Sequence, residues 1–176
     1  MTREEVVDLV DEHDRVAGLG TLGECLEEGL LHRAVAVQVI RSSGKLLVQQ
    51  RSKNDSWHPG LWTMSGTGHV RRAESYDAAA GRELKEELGL TAKLTPHKKV
   101  LLPAITSGSL TEREWVRFYV THTDLPCVID SVELQGVKEV TEPQLRRMLD
   151  GDSMTPDAII LLNLYLLGRP KKDSHL

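Results

Sequence analysis

The stretch Gly68-His69-Val70-Arg71-Arg72-Ala73-Glu74-Ser75-Tyr76-Asp77-Ala78-Ala79-Ala80-Gly81-Arg82-Glu83-Leu84-Lys85-Glu86-Glu87-Leu88-Gly89-Leu90 decides how this chain folds. Residues 75–88 read as a helix. Ser75 is a capping residue, Ala78, Ala79 and Ala80 are strong helix formers, and Gly89 stands where a left-handed residue ends a helix. Ala80, Leu84 and Leu88 recur one turn apart and form a packing stripe. Glu83, Glu86 and Glu87 sit three and four residues apart, so their carboxylates project from one face. Like charges at that spacing repel and weaken a helix. Converging carboxylates make a hard oxygen site for Mg²⁺ or Mn²⁺; the alternative is a solvated acidic face.

Working outward, Gly66 and Gly68 break the chain ahead of the helix. Residues 34–41 read as a strand with Val35, Val37 and Val39 on one face, and residues 45–50 as its hairpin partner across Ser42-Ser43-Gly44. Residues 51–60 are polar, contain Pro59 and read as a loop; 61–65 read as a short strand. Nearer the N-terminus, 5–18 fit a small hairpin and 19–31 are expected to be mostly loop. Downstream, strands are expected over 97–102, 114–122 and 132–140. One helix opens at Thr141-Glu142-Pro143 and another spans 156–167. This order predicts an α+β chain, an α/β/α sandwich with a mixed sheet.

The chain has 176 residues, which favours one domain able to bury roughly 70% of its unfolded surface without disulfides. Apolar residues make up 40% and charged residues 27%, so the bulk of the chain is expected to be ordered. The formal net charge of −4 argues against a nucleic-acid polymer as partner, though not against a nucleotide substrate. Two cysteines, Cys25 and Cys127, supply neither a disulfide framework nor a zinc pattern, and read as reduced thiols of a cytoplasmic protein. The acidic N-terminal residues 1–14 lack a signal-peptide core, and the apolar run 158–162 is too short to span a membrane. The domain is expected over residues 1–170, with a polar C-terminal tail at 171–176.

Gly68, Glu74, Arg82, Glu83, Glu86, Glu87 and Gly89 obey the pattern G-x5-E-x7-R-E-U-x-E-E-x-G-U, where U is a bulky aliphatic residue. Every defined position matches, which by average residue usage happens by chance at a given start on the order of once in a billion. The segment resembles the signature of the Nudix hydrolases. Physically, Gly68 is expected to end a strand in a tight turn, and the loop to Glu74 must fold back for Arg82 to reach it. Arg82 then serves as a rigid fork for carboxylates. The resemblance implies a Nudix-type sandwich in which Glu83, Glu86 and Glu87, with the Thr67 carbonyl, hold Mg²⁺ or Mn²⁺. It also implies that Glu83, Glu86 and Arg82 are catalytic, and that a small-molecule diphosphate is hydrolysed. Gly68, Glu74 and Gly89 are then structural parts of the motif.

The flanks narrow the resemblance. Leu30-Leu31-His32-Arg33-Ala34, Gln50-Arg51-Ser52-Lys53, Trp57-His58-Pro59-Gly60-Leu61-Trp62 and Ser65-Gly66-Thr67-Gly68-His69 are similar to the type I isopentenyl-diphosphate isomerases and the Nudix hydrolases like them. By motif position, that group implies a second metal site at His32, His69, Glu112 and Glu114. Glu112 and Glu114 alternate along an expected strand and so can face one side. Two departures favour hydrolase over isomerase. Thr67 stands where the isomerase pattern has a catalytic cysteine, and a hydroxyl does not replace a thiol in proton transfer. The hydrolase motif is also intact. The alternatives to hydrolysis are isomerisation and a non-catalytic binding module. A homodimer is common among such families.

Outside the motif, Arg51 and Lys53 follow a strand and are candidates to contact phosphate, against the plain reading of solvated bases. Trp57, in a polar loop, is the candidate to line a substrate cleft, whereas Trp62 reads as a core or loop anchor. His13, His58, His97, His122 and His175 read as loop or surface residues.

Overall fold

The structure is a computed structural model and describes residues 3–168, so the expected tail at 171–176, with His175, lies outside the described residues. An N-terminal hairpin, β1 (Val6–Val10) and β2 (Val16–Thr21), leads into α1 (Leu22–Glu28). Then follow β3 (His32–Ile40), β4 (Leu46–Arg51), β5 (Trp62–Thr63), β6 (Gly66–His69) and α2 (Tyr76–Leu88). The chain continues through β7 (Thr95–Leu101), β8 (Ile105–Ser107), β9 (Leu110–Glu112), β10 (Glu114–His122) and β11 (Leu134–Val140), and closes with α3 (Glu142–Leu149) and α4 (Pro156–Leu167).

The main sheet runs β11-β4-β3-β10-β7, with β5 added to β4 and β6 to β3. The β3–β10 pair is parallel and the other pairs are antiparallel, so the sheet is mixed as expected. Val35, Val37 and Val39 pack with Ala80, Leu84 and Leu88 of α2 on one face. Ala34, Ala36, Val116 and Phe118 pack with Leu145, Leu161 and Leu162 of α3 and α4 on the other. Each large apolar side chain so enclosed contributes about 1.5–3 kcal/mol. The expected α/β/α sandwich is what forms.

Three departures from the sequence reading matter for the site. Residues 19–31 are not mostly loop: Thr21 and Glu24 form a reciprocal cap, Thr21 N–H to Glu24 Oε2 at 2.7 Å and Glu24 N–H to Thr21 Oγ1 at 3.2 Å, that starts α1. Gly66 and Gly68 do not break the chain but lie inside β6. Residues 105–112 form a β8–β9 hairpin that the sequence reading lacks, and it carries Glu112 to the sheet.

The sheet parts where the site forms. β3 pairs with β4 only at Ile40–Leu46, then takes β6 as its partner from Val37 to Ala34. Gln38 and Ser65 fill the fork. Gln38 Nε2 donates to the Leu47 carbonyl and to Ser65 Oγ, at 2.9 and 3.0 Å. Ser65 Oγ accepts from Val39 N–H and donates to the Leu47 carbonyl, both at 2.7 Å. These bonds satisfy backbone groups that the missing ladder would leave unpaired.

Candidate active site

The helix-borne carboxylates come first, because α2 is placed by its apolar stripe. Once Ala80, Leu84 and Leu88 are buried, the adjoining flank of the same turns brings Glu83 and Glu87 against β6. Arg82 locks this arrangement. Its Nε and Nη2 each lie 2.9 Å from an oxygen of Glu74, so the expected fold-back of the loop occurs. Nη1 reaches Glu83 Oε1 at 2.6 Å and Glu86 Oε2 at 3.3 Å, and Nη2 also donates to the His69 carbonyl at 2.9 Å. One guanidinium thus aligns three carboxylates and the strand.

The three metal-candidate carboxylates differ in setting. Glu86 is exposed and also faces Arg71 at 3.8 Å, which in turn pairs with Glu5 at 3.2 Å. Glu83 and Glu87 are buried. Burial pushes the Glu83 carboxyl up to about 7, against the pull of Arg82. Burial, followed by the charge of Glu83, pushes Glu87 up to about 8, although Glu87 Oε2 accepts from Thr67 N–H at 3.0 Å and Gln49 Nε2 at 3.1 Å. Two enclosed carboxylates that resist ionising side by side are a donor set that a divalent cation satisfies. Gly68 does not make the expected tight turn. It is a strand residue, and a Cβ there would run into the Glu83 carboxyl group. Gly89 does end α2 in the left-handed conformation, at φ 65°.

The second candidate set lies on the other face of the sheet. Cross-strand partners share a face, and the register pairs Val35 with Gly68 but Ala34 with His69, and His32 with Glu114. His69 Nε2 stands 3.1 Å from Glu114 Oε1 and 3.5 Å from Glu112 Oε1, and His32 Nε2 stands 3.5 Å from Glu114 Oε1. One ligand atom from each of His32, His69 and Glu114 lies within 4.8 Å of the others. The expected quartet is brought together, although Arg113 interrupts the strand between Glu112 and Glu114. His32 Nδ1 lies 2.9 Å from the Leu30 carbonyl, which leaves Nε2 as the free lone pair of a neutral ring. That buried Nε2 makes no hydrogen bond among the described residues and faces a carboxylate oxygen. Two acceptors face to face need a proton or a cation between them, and mixed imidazole and carboxylate donors suit a divalent metal. Burial opposes charge on His69, yet Glu112 and Glu114 raise it to about 9. Burial likewise opposes charge on Glu114, but the two imidazoles beside it hold its carboxyl below the usual range, while burial and Glu114 raise Glu112.

A cavity of about 460 Å³ touches both sets, with Thr67, Gly68 and Glu87 on one side and His69, Glu112 and Glu114 on the other. Trp57, the sequence candidate to line a substrate cleft, is among the residues of its wall. Arg51 lines it too, but its Nε and Nη2 are engaged by the Trp57 carbonyl at 2.8 Å and Asp55 at 2.7 Å, so much of its donor capacity shapes the loop. Lys53 is exposed and is not among the residues that line the cavity. Gln49, Arg71 and Asp157 join the site without having been singled out from sequence. Gln49 lies beside motif positions only in the folded chain, Arg71 occupies an undefined position inside the motif, and Asp157 has no local signal.

The family model of the NUDIX domain matches residues 30–156. An isopentenyl-diphosphate delta-isomerase of Photorhabdus laumondii is 33% identical over 147 residues, covering 84% of this chain and 83% of that one. A Nudix hydrolase of Pseudomonas aeruginosa whose function is uncharacterized is 29% identical over 163 residues, covering 92% and 94%. A crystal structure from Deinococcus radiodurans superposes with a TM-score of 0.74 at 25% identity, over 91% of this chain and 98% of that one. With the model matching well over half its length and the folded motif in place, the chain belongs to the NUDIX domain family and is an enzyme of the Nudix hydrolase kind.

Proposed function

We propose that the chain hydrolyses the diphosphate bond of a small organic diphosphate, nucleoside-linked or related, with Mg²⁺ or Mn²⁺ held by Glu83, Glu86, Glu87 and the Thr67 carbonyl. The observation that carries this reading is the buried pair of Glu83, held by Arg82 beneath Gly68, and Glu87, held by Thr67 N–H and Gln49. A bound cation supplies neutralising charge to the diphosphate oxygens. The chain does the rest. Arg82 fixes Glu83 and Glu86; Thr67 N–H and Gln49 fix Glu87. Glu83, held at one oxygen by Arg82, is the general base that takes the proton of the attacking water. Trp57 and the apolar wall around it exclude solvent from the organic half of the substrate. Residues 1–170 are the working domain. No described helix is long and apolar enough to cross a membrane, and the free thiols of Cys25 and Cys127 fit a reducing, cytoplasmic setting.

The test is phosphate release across a panel of nucleotide sugars, dinucleotides, nucleoside triphosphates and isoprenoid diphosphates. Release that EDTA abolishes and Mg²⁺ or Mn²⁺ restores supports the reading; no release from any compound counts against it. Isomerisation of isopentenyl diphosphate is the second reading. It is favoured by the assembled quartet His32, His69, Glu112 and Glu114 and by the isomerase name of a relative. Thr67, whose hydroxyl is a weak acid where that chemistry needs a proton donor, is what sets it second.

A further inference from the structure

The cavity has one wall that neither carboxylate set explains. There Asp157, in the first turn of α4, lines the cavity together with Trp57, Ala36, Val116 and Leu161. An acid near a helix start is ordinary, since the helix dipole favours it. A solvent-facing side chain would serve that purpose equally, and this one lines the cavity instead. The nearby Thr155 side chain and Ala158 N–H at the helix start favour its charge. A carboxylate has about four acceptor positions, so some stay open toward the cavity. The charged and titratable groups that face it are Glu112, Glu114, Arg51 and His58. Arg51 is the one full cation among them, and two of its nitrogens are held by Asp55 and the Trp57 carbonyl. Burial accordingly raises the Asp157 carboxyl above the ordinary aspartate range.

We propose that Asp157 selects the organic half of the substrate, accepting a hydrogen bond from a hydroxyl or ammonium group and disfavouring a bare hydrocarbon chain. A hydrocarbon seated there would strip water from the open acceptor positions and return nothing, and sites built around a polar partner reject analogues that lack it. The inference rests on the diphosphate reading above, because it takes this cavity to be where the organic half lies.

The test separates binding from cleavage. Pentyl, ω-hydroxypentyl and ω-aminopentyl methylenediphosphonates cannot be hydrolysed, so calorimetry with Mg²⁺ reads affinity whatever the reaction is. The wild-type chain should bind the two donor-bearing probes at least about tenfold tighter than the pentyl probe. Asp157→Ala should erase that preference while leaving pentyl affinity unchanged or improved, a pattern that loss of structure does not produce. If the alanine variant fails to fold, Asp157→Asn, which keeps the shape but not the charge, should reduce the ammonium preference by at least about threefold. Equal wild-type affinity for all probes, no binding of any probe, or an unchanged preference in the variant that folds overturns the proposal. Failure of the diphosphate reading shows separately, as absence of phosphate release from the hydrolysable counterparts.

Discussion

Glu83 lies directly under Gly68, so close that the strand residue has room for a hydrogen and nothing larger. The strand passes over the helix where the helix presents the buried Glu83 carboxylate, and Arg82 holds that carboxylate from the side at 2.6 Å. The glycine is therefore part of the site's geometry rather than of a turn.

Gly68→Ala should cost about 1–3 kcal/mol of stability, the usual penalty of overpacking a tight contact. The larger effect falls on the reaction: a displaced Glu83 should slow phosphate release by about 100-fold or more. Thermal melting and initial rates on the identified substrate check both parts. An alanine variant as fast as the parent would show that Glu83 needs no such placement.

Glu87→Gln keeps the volume and the two hydrogen-bonded neighbours but removes one charge from the buried pair. We expect a rate loss of roughly 100-fold or more with the fold retained. A second readout needs no substrate. Cation binding to the native state should raise the melting temperature of the parent as Mg²⁺ is added, through mass action, and the variant should show a blunted rise. An equal rise in both chains would move the cation away from Glu87.

Asp14 ties the tip of the N-terminal hairpin to the sheet and to α2. Its side chain is 7% exposed and meets Arg33 Nε at 2.6 Å, Lys99 Nζ at 2.8 Å and the Tyr76 hydroxyl at 3.2 Å. Burial works against its charge, but hydrogen bonds from Lys99 and Arg33 prevail and hold the carboxyl below its usual range. A depressed carboxyl stabilises the fold above the unfolded-state pKa, so this contribution is present at neutral pH. It is lost as pH falls through and below the ordinary aspartate range near about 4. Asp14→Asn tolerates the same left-handed backbone, at φ 60°. It should lower stability by about 2 kcal/mol at neutral pH and progressively less in acid. Denaturant titrations at several pH values check this; a difference independent of pH would contradict it.

The legible and illegible parts of this chain divide on physical grounds. Ser75, the alanine run, the Leu84 and Leu88 stripe and Gly89 define α2 through contacts within a few residues, and local contacts are what a sequence displays. The Thr21 and Glu24 pair was equally local, a capping box readable from its spacing, but α1 has only seven residues and a glycine at its second position. Gly66 and Gly68 mislead because a glycine marks either a turn or a close approach, and only Glu83, arriving from the helix that follows β6, shows that Gly68 is the second kind. The fork filled by Gln38 and Ser65, and the wall that Asp157 shares with Trp57, depend on segments far apart in the chain. His32, His69, Glu112 and Glu114 are a middle case: family resemblance assembled them, and the strand register explains why they meet.

The measurement that bears most directly on the central claim is isotope tracing with the native chain and Mg²⁺. Hydrolysis requires water to attack phosphorus, whereas isomerisation requires a proton to be added and another removed at carbon. In ¹⁸O-labelled water, label should enter a phosphate-bearing product of the substrate found in the panel, and the Glu87→Gln variant should lose that incorporation. In deuterated water, isopentenyl diphosphate should gain no deuterium at its allylic carbons at a catalytic rate. Steady deuterium incorporation without ¹⁸O in any phosphate product would contradict the account.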